Sequence, residues 1–204
     1  MKKIGIIGRG FVGSAVEFGF SAQTGCDAEV RIFDKDSSKS IHTLSETVNK
    51  SDFIFLSVPT PSNPDGSMHL GILEAALQDI ESVNKRKDNV VLIRSTIIPG
   101  TTKKLQNKFK KLNLVFNPEF LTERSVKFDF INQSRFGDSV PWIETNYETA
   151  ELIKYMNNCY FATKVSFLNE MKLVADKCKA DWDIAVEGFI RDGRIGHSHL
   201  SVPG

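Results

Sequence analysis

A glycine-rich turn near the start of the sequence has the G-x-G-x-x-G spacing of a dinucleotide-binding fingerprint. It follows an apolar run, residues 4–7, that predicts a buried strand, and it leads into residues 14–20, which predict a helix. In this context the first glycine permits the tight turn, the second lets the backbone approach a pyrophosphate, and the third lets helix and strand pack closely. The N–H groups at the start of the helix would bind the phosphates. The predicted cofactor contacts in this turn are Gly8, Gly10, Phe11, Val12 and Gly13.

An acidic residue at the end of the second predicted strand completes the fingerprint. Residues 30–33 predict that strand, and Asp34 follows it, at about the 20-residue spacing expected after the glycine motif. A carboxylate at this spacing hydrogen-bonds the adenosine ribose and would repel a 2′-phosphate. The sequence therefore predicts NAD rather than NADP, a preference that the neighbouring Lys35 weakens slightly. The competing interpretation is a glycine turn in an unrelated α/β domain.

The composition limits the partners and the compartment. The chain has 26 basic and 25 acidic residues among 204, and its formal net charge is +1. This balance does not indicate a nucleic-acid or membrane-surface partner, and no stretch approaches the roughly 20 apolar residues of a membrane span. Cys26, Cys159 and Cys178 lack the spacing of a metal site. We therefore expect a reduced, cytoplasmic protein that binds no metal, nucleic acid or membrane.

Strand and helix signals alternate through the first two thirds of the sequence. Further apolar strands are predicted at residues 52–58, 90–93 and 114–116. Continuous apolar strands of this kind predict an α/β fold with a doubly wound, Rossmann-type parallel sheet. Residues 147–179 then predict one long helix with apolar residues at steps of three and four. We expect an NAD-binding domain at residues 1–142 and a helical central or dimerisation region at residues 143–204.

Several short motifs stand in a fixed order across nearly the whole chain. They are residues 8–13, 58–61, 95–102, 117–123, 150–158, 169–170 and 194–196. Together they resemble the N-terminal part of the UDP-glucose/GDP-mannose dehydrogenase family. Members of this family oxidise the primary alcohol of a UDP- or GDP-linked sugar to a carboxylate and reduce two NAD molecules per turnover. A cysteine thiolate captures the aldehyde formed first, and water releases the acid after the second oxidation.

The resemblance implies roles for individual side chains. Thr96 would position water or a hydroxyl beside the nicotinamide and the substrate. Glu123 would act as a base or activate water, also in thioester hydrolysis, with Glu119 in support. Lys154 would stabilise charge on the substrate oxygen, and Asn158, one helical turn later, would be its hydrogen-bonding partner. The implied cofactor contacts in the loops are Val58, Pro59, Thr60 and Thr96. The competing interpretation is that the acids lie on the surface or cap helices and that the Lys–Asn pair is a solvated helix face.

The sequence departs from the family pattern in two respects. The family's nucleophilic cysteine lies in a glycine-rich segment shortly after the counterpart of residues 202–204, where this sequence ends. Cys159 and Cys178 do not match that cysteine, and the family's nucleotide-sugar-binding domain is also missing. In addition, residues 119–154 are too few for the family's further strand–helix unit. We therefore expect a lost or shortened sixth strand, with the join near residues 135–142, and a sheet edge that is left for a dimer partner or the long helix to cover.

Three functions follow as hypotheses. The first is an NAD-binding member of the family that does not complete the double oxidation by itself. The second is a single oxidation like that of the β-hydroxyacid dehydrogenases, which would use Lys154 and need no cysteine, although residues 119–123 and 194–196 argue against it. The third is a non-catalytic NAD-binding or assembly module, for example one part of a split enzyme whose cysteine belongs to a separate chain. The expected assembly is a homodimer through the long helix.

Overall fold

The computed structural model describes residues 1–121, 127, 130 and 143–201. The chain forms two compact units, Met1–Lys154 and Tyr155–Gly204. The boundary between these units falls inside one long helix, Tyr147–Cys178, close to the predicted bounds of that helix. The division of the family's domains after residue 142 stays a prediction.

The first unit is built on a parallel sheet, which has five strands within the described residues. The strands are β1 (Lys2–Ile7), β2 (Ala28–Phe33), β3 (Phe53–Leu56), β4 (Val90–Ile93) and β5 (Asn113–Phe116). Their order is β2-β1-β3-β4-β5, so the chain winds outward from β1 in both directions. A crevice forms at the carboxyl ends of the strands where the winding direction changes. This arrangement confirms the predicted doubly wound, Rossmann-type sheet.

Helices connect the strands and continue beyond them. They are α1 (Phe11–Gly19), α2 (Leu44–Asn49), α3 (Gly71–Val83), α4 (Thr101–Lys108), α5 (Tyr147–Cys178) and α6 (Trp182–Phe189). The short helix α2 begins with a capping box. The Thr43 hydroxyl accepts the N–H of Glu46 at 3.2 Å, and the Glu46 carboxylate accepts the N–H of Thr43 at 3.2 Å. This exchange satisfies two N–H groups that the helix itself cannot pair.

Both faces of the sheet are covered by apolar side chains. On one face, Leu77 of α3 and Leu105 of α4 are buried in a cluster with Ile54. On the other face, Val16 of α1 is buried in a cluster with Phe55. Ile54 and Phe55 are consecutive residues of β3, and they reach opposite clusters because side chains alternate along a strand. The sheet is therefore a central layer, as the continuous apolar strands predict.

Side chains close the outer edge of β5 at its centre. The N–H of Asn117 donates to the Ile93 carbonyl at 3.0 Å. The backbone N–H and C=O groups of the odd-numbered residues of β5 therefore point toward β4, and those of Leu114 point away from it. The N–H of Leu114 donates to Gln106 Oε1 at 2.9 Å, and its carbonyl accepts from Tyr147 Oη at 2.9 Å. At Leu114 this edge is therefore covered by α4 and by the start of α5, the long helix that was one of the two expected covers.

Two expectations fall outside the described residues, namely the shortened sixth strand near residues 135–142 and the chain end at residues 202–204. Across the part of the chain that is described, no helix combines the length and apolar character needed to cross a membrane. The same residues contain no group of three or more His, Cys, Asp or Glu side chains placed to hold a metal ion.

The second unit contains the later part of α5, α6 and the loop that follows α6. The ammonium group of Lys164 donates hydrogen bonds of 2.7 to 3.0 Å to backbone carbonyls of this loop. The acceptors are Ile195, Gly196 and Ser198. Among the described residues of this unit, Leu168 and Ala175 are the only apolar side chains that are buried. The loop is therefore held mainly by polar contacts to α5.

Candidate functional site

A cleft of about 560 Å³ lies at the carboxyl ends of the strands in the first unit. Each of the five strands leads into a residue that lines it. These residues are Gly8 after β1, Asp34 after β2, Pro59 after β3, Thr96 after β4 and Glu119 after β5. A crevice in this position is where doubly wound sheets bind their ligands.

The glycines of the turn meet three different surroundings. Gly8 has φ +92°, and a Cβ there would come within 2.1 Å of the Ser57 carbonyl oxygen. A Cβ on Gly13 would come within 1.9 Å of the Gly8 carbonyl oxygen. A Cβ on Gly10, by contrast, would meet no protein atom within 4 Å. Gly8 and Gly13 therefore permit close backbone packing, whereas Gly10 borders open space in the cleft, which suits the approach of a pyrophosphate.

The N-terminus of α1 offers an anion-binding surface beside this turn. The helix begins at Phe11, with Gly10 as its N-cap, and no side chain caps it. Its first turn contains no acidic residue. Phe11 and Val12 both line the cleft. Backbone N–H groups and the positive end of the helix dipole therefore face the space that Gly10 leaves open, and these residues fit a dinucleotide pyrophosphate.

Asp34 is held at the other end of the cleft by backbone hydrogen bonds. Its Oδ2 accepts the N–H of Arg9 at 2.5 Å, and its Oδ1 accepts the N–H of Asp36 at 2.8 Å. Each carboxylate oxygen keeps a further lone pair that a ribose hydroxyl could use. Lys35 and Lys39 line the same end of the cleft. The carboxylate is thus oriented before any ligand arrives.

Arg9 is a site residue that the sequence analysis missed, because it occupies a variable position of the glycine motif. Its Nε and Nη2 donate to the two carboxylate oxygens of Glu17 at 2.8 and 2.6 Å. The hydrogen bond to Glu17 holds the pKa of Arg9 above its ordinary value. Its Nη1 donates to the carbonyl of Lys39 at 3.3 Å. Arg9 therefore connects the glycine turn, α1 and the loop after β2.

The loops after β3 and β4 are joined by hydroxyl groups. The Ser95 hydroxyl donates to the Val58 carbonyl at 2.6 Å and accepts the Val58 N–H at 3.2 Å. The Thr60 hydroxyl donates to the Thr96 carbonyl at 2.8 Å. Val58, Pro59, Thr60 and Thr96 all line the cleft. The structure therefore brings these four predicted contacts together at one wall.

Glu119 and Lys154 form a nearly buried ion pair. Their Oε1 and Nζ atoms lie 3.2 Å apart, and the side chains are 17% and 7% exposed. Glu119 Oε2 also accepts the N–H of Leu121 at 2.8 Å, and Lys154 Nζ lies 5.2 Å from the centre of the Phe120 ring. The pair is therefore no solvated helix face, and through Glu119 it reaches the cleft.

Glu151, one helical turn before Lys154, anchors the start of α5. Its fully buried carboxylate accepts the N–H groups of Gly100 at 2.5 Å and Thr102 at 2.7 Å. These N–H groups belong to the N-terminus of α4, which the carboxylate caps from another helix. The contact fixes α5 to the loop that follows Thr96. In the sequence, the signal for Glu151 was its position three residues before Lys154.

Arg94 is a second buried cation that the sequence analysis missed. It is 2% exposed and lines the cleft at the end of β4. Its Nη1 donates to Asn117 Oδ1 at 2.5 Å, and its guanidinium carbon lies 5.9 and 5.6 Å from the ring centres of Phe55 and Phe130. Burial lowers the pKa of Arg94 to about 10, an effect that the negative charge of Glu119 opposes. A charged residue directly after an apolar strand was the signal for it.

Four predicted residues do not line the described cleft, and one of them, Lys154, reaches it only through its ion pair with Glu119. Glu123 lies outside the described residues. Gly13 is buried beneath the turn rather than exposed to the cleft. Asn158 is exposed in the second unit, where it lines a small groove with Phe161 and His199, whose rings stack at 4.0 Å. The predicted pairing of Lys154 with Asn158 stays a prediction.

Family models match most of the chain. The NAD-binding domain of the UDP-glucose/GDP-mannose dehydrogenase family matches residues 39–145, and the central domain of that family matches residues 148–204. The first of these matches alone covers more than half of the sequence.

Curated relatives are longer than this chain. An uncharacterised protein of Methanocaldococcus jannaschii is 36% identical in an alignment that covers 78% of this chain and 21% of that protein. The UDP-glucose 6-dehydrogenase TuaD of Bacillus subtilis is 32% identical in an alignment that covers 78% of this chain and 40% of the enzyme. The chain thus spans less than half the length of these relatives.

Solved structures show the same fold. A GDP-mannose dehydrogenase from Pseudomonas aeruginosa superposes with a TM-score of 0.77 at 24% identity, over 94% of this chain and 57% of that one. A UDP-glucose dehydrogenase from Pyrobaculum islandicum gives a TM-score of 0.76 at 24% identity, over 98% and 59% of the two chains. Because a family model covers more than half of the sequence, the chain belongs to the UDP-glucose/GDP-mannose dehydrogenase family and contains its NAD-binding domain, and NAD is its cofactor.

Proposed function

We propose that this chain binds NAD in the cleft of its first unit and supports oxidation of the primary alcohol of a nucleotide sugar. The observation that carries the proposal is the meeting of three features in one cleft. These features are the open glycine turn, the oriented Asp34 carboxylate and the Glu119–Lys154 ion pair. NAD, when bound, supplies the acceptor for the hydride that leaves the alcohol carbon.

The binding residues divide the cleft into two ends. At the Asp34 end, the carboxylate accepts hydrogen bonds from the adenosine ribose, and Lys35 lies beside it. Between the ends, the N–H groups at the start of α1 bind the pyrophosphate. At the Glu119 end, Thr96 and Thr60 form the wall beside the reacting groups. Residues 1–142 form the NAD-binding domain in this proposal, and residues 143–204 form the central region.

The buried ion pair supplies the charges that alcohol oxidation requires. Lys154 places a positive charge where the substrate oxygen becomes negative, and burial strengthens this interaction by excluding water. Following the family resemblance, Glu123 serves as the base or activates water, and Glu119, at 3.2 Å from Lys154 Nζ, supports it. Asn158 serves as the hydrogen-bonding partner of Lys154.

A thiolate for the second oxidation is not found in the described cleft. Cys26, Cys159 and Cys178 are free, and none of them lines it. We infer that these 204 residues do not complete the double oxidation by themselves and that the thiolate comes from outside them, with a separate cysteine-bearing chain as one source. Incubation with UDP-glucose or GDP-mannose and NAD should yield no uronate. Turnover to uronate by the pure chain would overturn this part of the proposal.

A second candidate function is a single oxidation of a small β-hydroxy acid. It is favoured by one observation, the presence of a buried lysine without a thiol at the described cleft. A screen of small hydroxy acids for NAD reduction, with Lys154→Ala as the comparison, separates the two candidates. Reduction that depends on Lys154 would support the single oxidation. A non-catalytic NAD-binding module would show binding of NAD but no reduction with either substrate class.

The second unit supports a homodimer through α5. The predicted apolar stripe on this helix remains open to solvent in the described chain, with Met156 61%, Phe167 48%, Met171 37% and Val174 49% exposed. A contiguous apolar surface on one helix is typical of a face that a partner covers, and a second copy of the chain is the simplest partner.

The free cysteines also favour a reducing compartment, and we place the protein in the cytoplasm.

Calorimetry with Asp34→Ala tests the cofactor proposal. Because Asp34 would accept charged hydrogen bonds from the ribose, this change should weaken NAD binding by about 10- to 100-fold. It should also reduce the discrimination against NADP. Asp36→Ala is the matched control, since it removes an equal charge from the same loop but does not line the cleft. Equal loss of affinity in both variants would contradict the assignment of Asp34.

A further inference from the structure

The guanidinium of Arg94 is buried but has few hydrogen-bond partners. It is 2% exposed, yet within the described residues it donates one hydrogen bond, from Nη1 to Asn117 Oδ1. Its Nε and Nη2 donate to no atom of the described chain. Buried polar groups are almost always hydrogen-bonded, so two such donors on one side chain require an explanation.

The two donors without partners are the pair that binds a carboxylate side-on. Nε and Nη2 point in nearly the same direction, and their spacing matches the two oxygens of a carboxylate. Arg9 in this same chain uses these two atoms to hold both oxygens of Glu17 at 2.8 and 2.6 Å. Arg94 therefore presents the geometry of an arginine that lacks its carboxylate.

The carboxylate of Glu119 is the candidate partner for these two donors of Arg94. Its negative charge raises the pKa of Arg94 against the effect of burial, so the two groups interact electrostatically. Asn117, two residues before Glu119, is already bound to Arg94 at 2.5 Å. Both Arg94 and Glu119 line the same cleft. In this structure, however, the salt bridge of Glu119 is with Lys154.

We propose that Glu119 alternates between two buried cations, Lys154 as seen here and the Nε–Nη2 edge of Arg94. In the second position Glu119 satisfies both donors of Arg94 and leaves the Lys154 ammonium free for an oxygen of a ligand. The exchange replaces one buried ion pair by another, and an oxygen of the ligand then becomes the partner of the released Lys154 ammonium. Arg94 is then a positioning residue that controls the availability of Lys154. The purpose of the exchange rests on the proposed function, in which Lys154 meets the substrate oxygen.

Site-specific acylation of lysines in the full chain tests the exchange without any turnover. Acetic anhydride reacts with the neutral amine of a lysine, and a buried carboxylate beside the group slows this reaction because it favours the ammonium form. Mass spectrometry reports the acylation of Lys154 relative to that of the exposed Lys103. Arg94→Gln removes the Nε–Nη2 edge that binds Glu119 in its second position, so Glu119 stays paired with Lys154. Lys154 should then be acylated about threefold more slowly than in the wild type, or slower still. Glu119→Gln removes the carboxylate and should accelerate the acylation.

The direction of the change in the acylation rate of Lys154 distinguishes the proposed exchange from a purely structural role of Arg94. If Arg94 only stabilised the loop, its loss would loosen the Glu119–Lys154 pair and accelerate acylation of Lys154. Faster or unchanged acylation in Arg94→Gln would therefore overturn the proposal. Arg94→Lys keeps the charge but lacks the paired donors, and it should also slow the acylation, so it decides the matter if Arg94→Gln does not fold. Calorimetry of the wild type with NAD judges the proposed function separately.

Discussion

The two units of this chain bury their apolar side chains to very different extents. In the first unit, Leu77 of α3 is fully buried within a continuous cluster on one face of the sheet. In the second unit, Met156 and Leu173 of α5 are 61% and 58% exposed. The comparison shows that the cofactor domain contains its own core, whereas the helical unit presents apolar surface that its described residues do not cover.

The charged side chains differ in the same way. In the first unit, Glu151, Lys154 and Arg94 are buried and connect loops that are distant in sequence. In the second unit, the ion pairs join residues only two or four positions apart in sequence, as in Arg191–Glu187. Exposed pairs of this kind contribute little to stability, whereas a buried charge that loses its partner costs a great deal. Buried charges therefore position the site in the first unit, whereas the second unit has local ion pairs and one ammonium group, that of Lys164, which holds a loop.

The largest difference should appear when the same substitution is made in each unit. Leu77→Ala should lower the free energy of unfolding by about 2–5 kcal/mol, because it leaves a cavity in the core. Leu173→Ala on α5 should change it by less than about 0.5 kcal/mol, because this side chain is exposed. Denaturant unfolding monitored by circular dichroism gives both values. Similar losses in the two variants would mean that the second unit has a core of comparable importance.

A charge on the apolar stripe of α5 should dissociate the proposed dimer. Met156→Glu places a carboxylate on a face that a second copy would bury, and we expect about 10- to 100-fold weaker association. Ile41→Glu is the matched control in the first unit, where the side chain is 57% exposed. Sedimentation velocity over a range of concentrations measures the association. A wild-type chain that remains monomeric at every concentration would argue against the dimer.

A smaller effect is expected from the buried cap of α4. Glu151→Gln replaces one accepting oxygen by an NH₂ group that faces N–H donors, and it should destabilise the first unit by about 1–2 kcal/mol. Glu148→Gln, one turn earlier on α5, removes only an exposed pair with Lys103 and should have little effect. Thermal unfolding of the two variants checks this difference. The assignment of Glu151 as an anchor fails if both variants unfold with the wild type.

Local patterns in the sequence predicted the parts of the fold that depend on local physics. The strand–turn–helix around Gly8 follows from the conformational demands of glycine, and α5 follows from apolar residues at helical spacing. The helix α2 was missed because its six residues are too few for a period, although the Thr43–Glu46 capping box marked its start.

Pairings between distant residues escaped prediction. These pairings depend on how loops and helices meet after folding. Examples are Arg94 with Asn117, Glu151 with the N-terminus of α4, and Gln106 with Leu114. No spacing rule in a single sequence links such residues. The sheet edge shows the consequence. The sequence left open whether a dimer partner or the long helix covers this edge, and the structure places side chains from α4 and α5 at its central position.

The most direct test of the central claim is calorimetric titration of NAD into the wild type and Gly10→Ala. Gly10 has φ −82°, which any residue can adopt, and a Cβ there would touch no protein atom within 4 Å. The methyl group would instead occupy the space assigned to the pyrophosphate. The account predicts NAD binding by the wild type and binding weakened about tenfold or more in Gly10→Ala, with the unfolding temperature unchanged. Gly188→Ala, whose Cβ also meets no protein atom, serves as the control. Absence of binding to the wild type, or equal affinities in wild type and Gly10→Ala, would contradict the account.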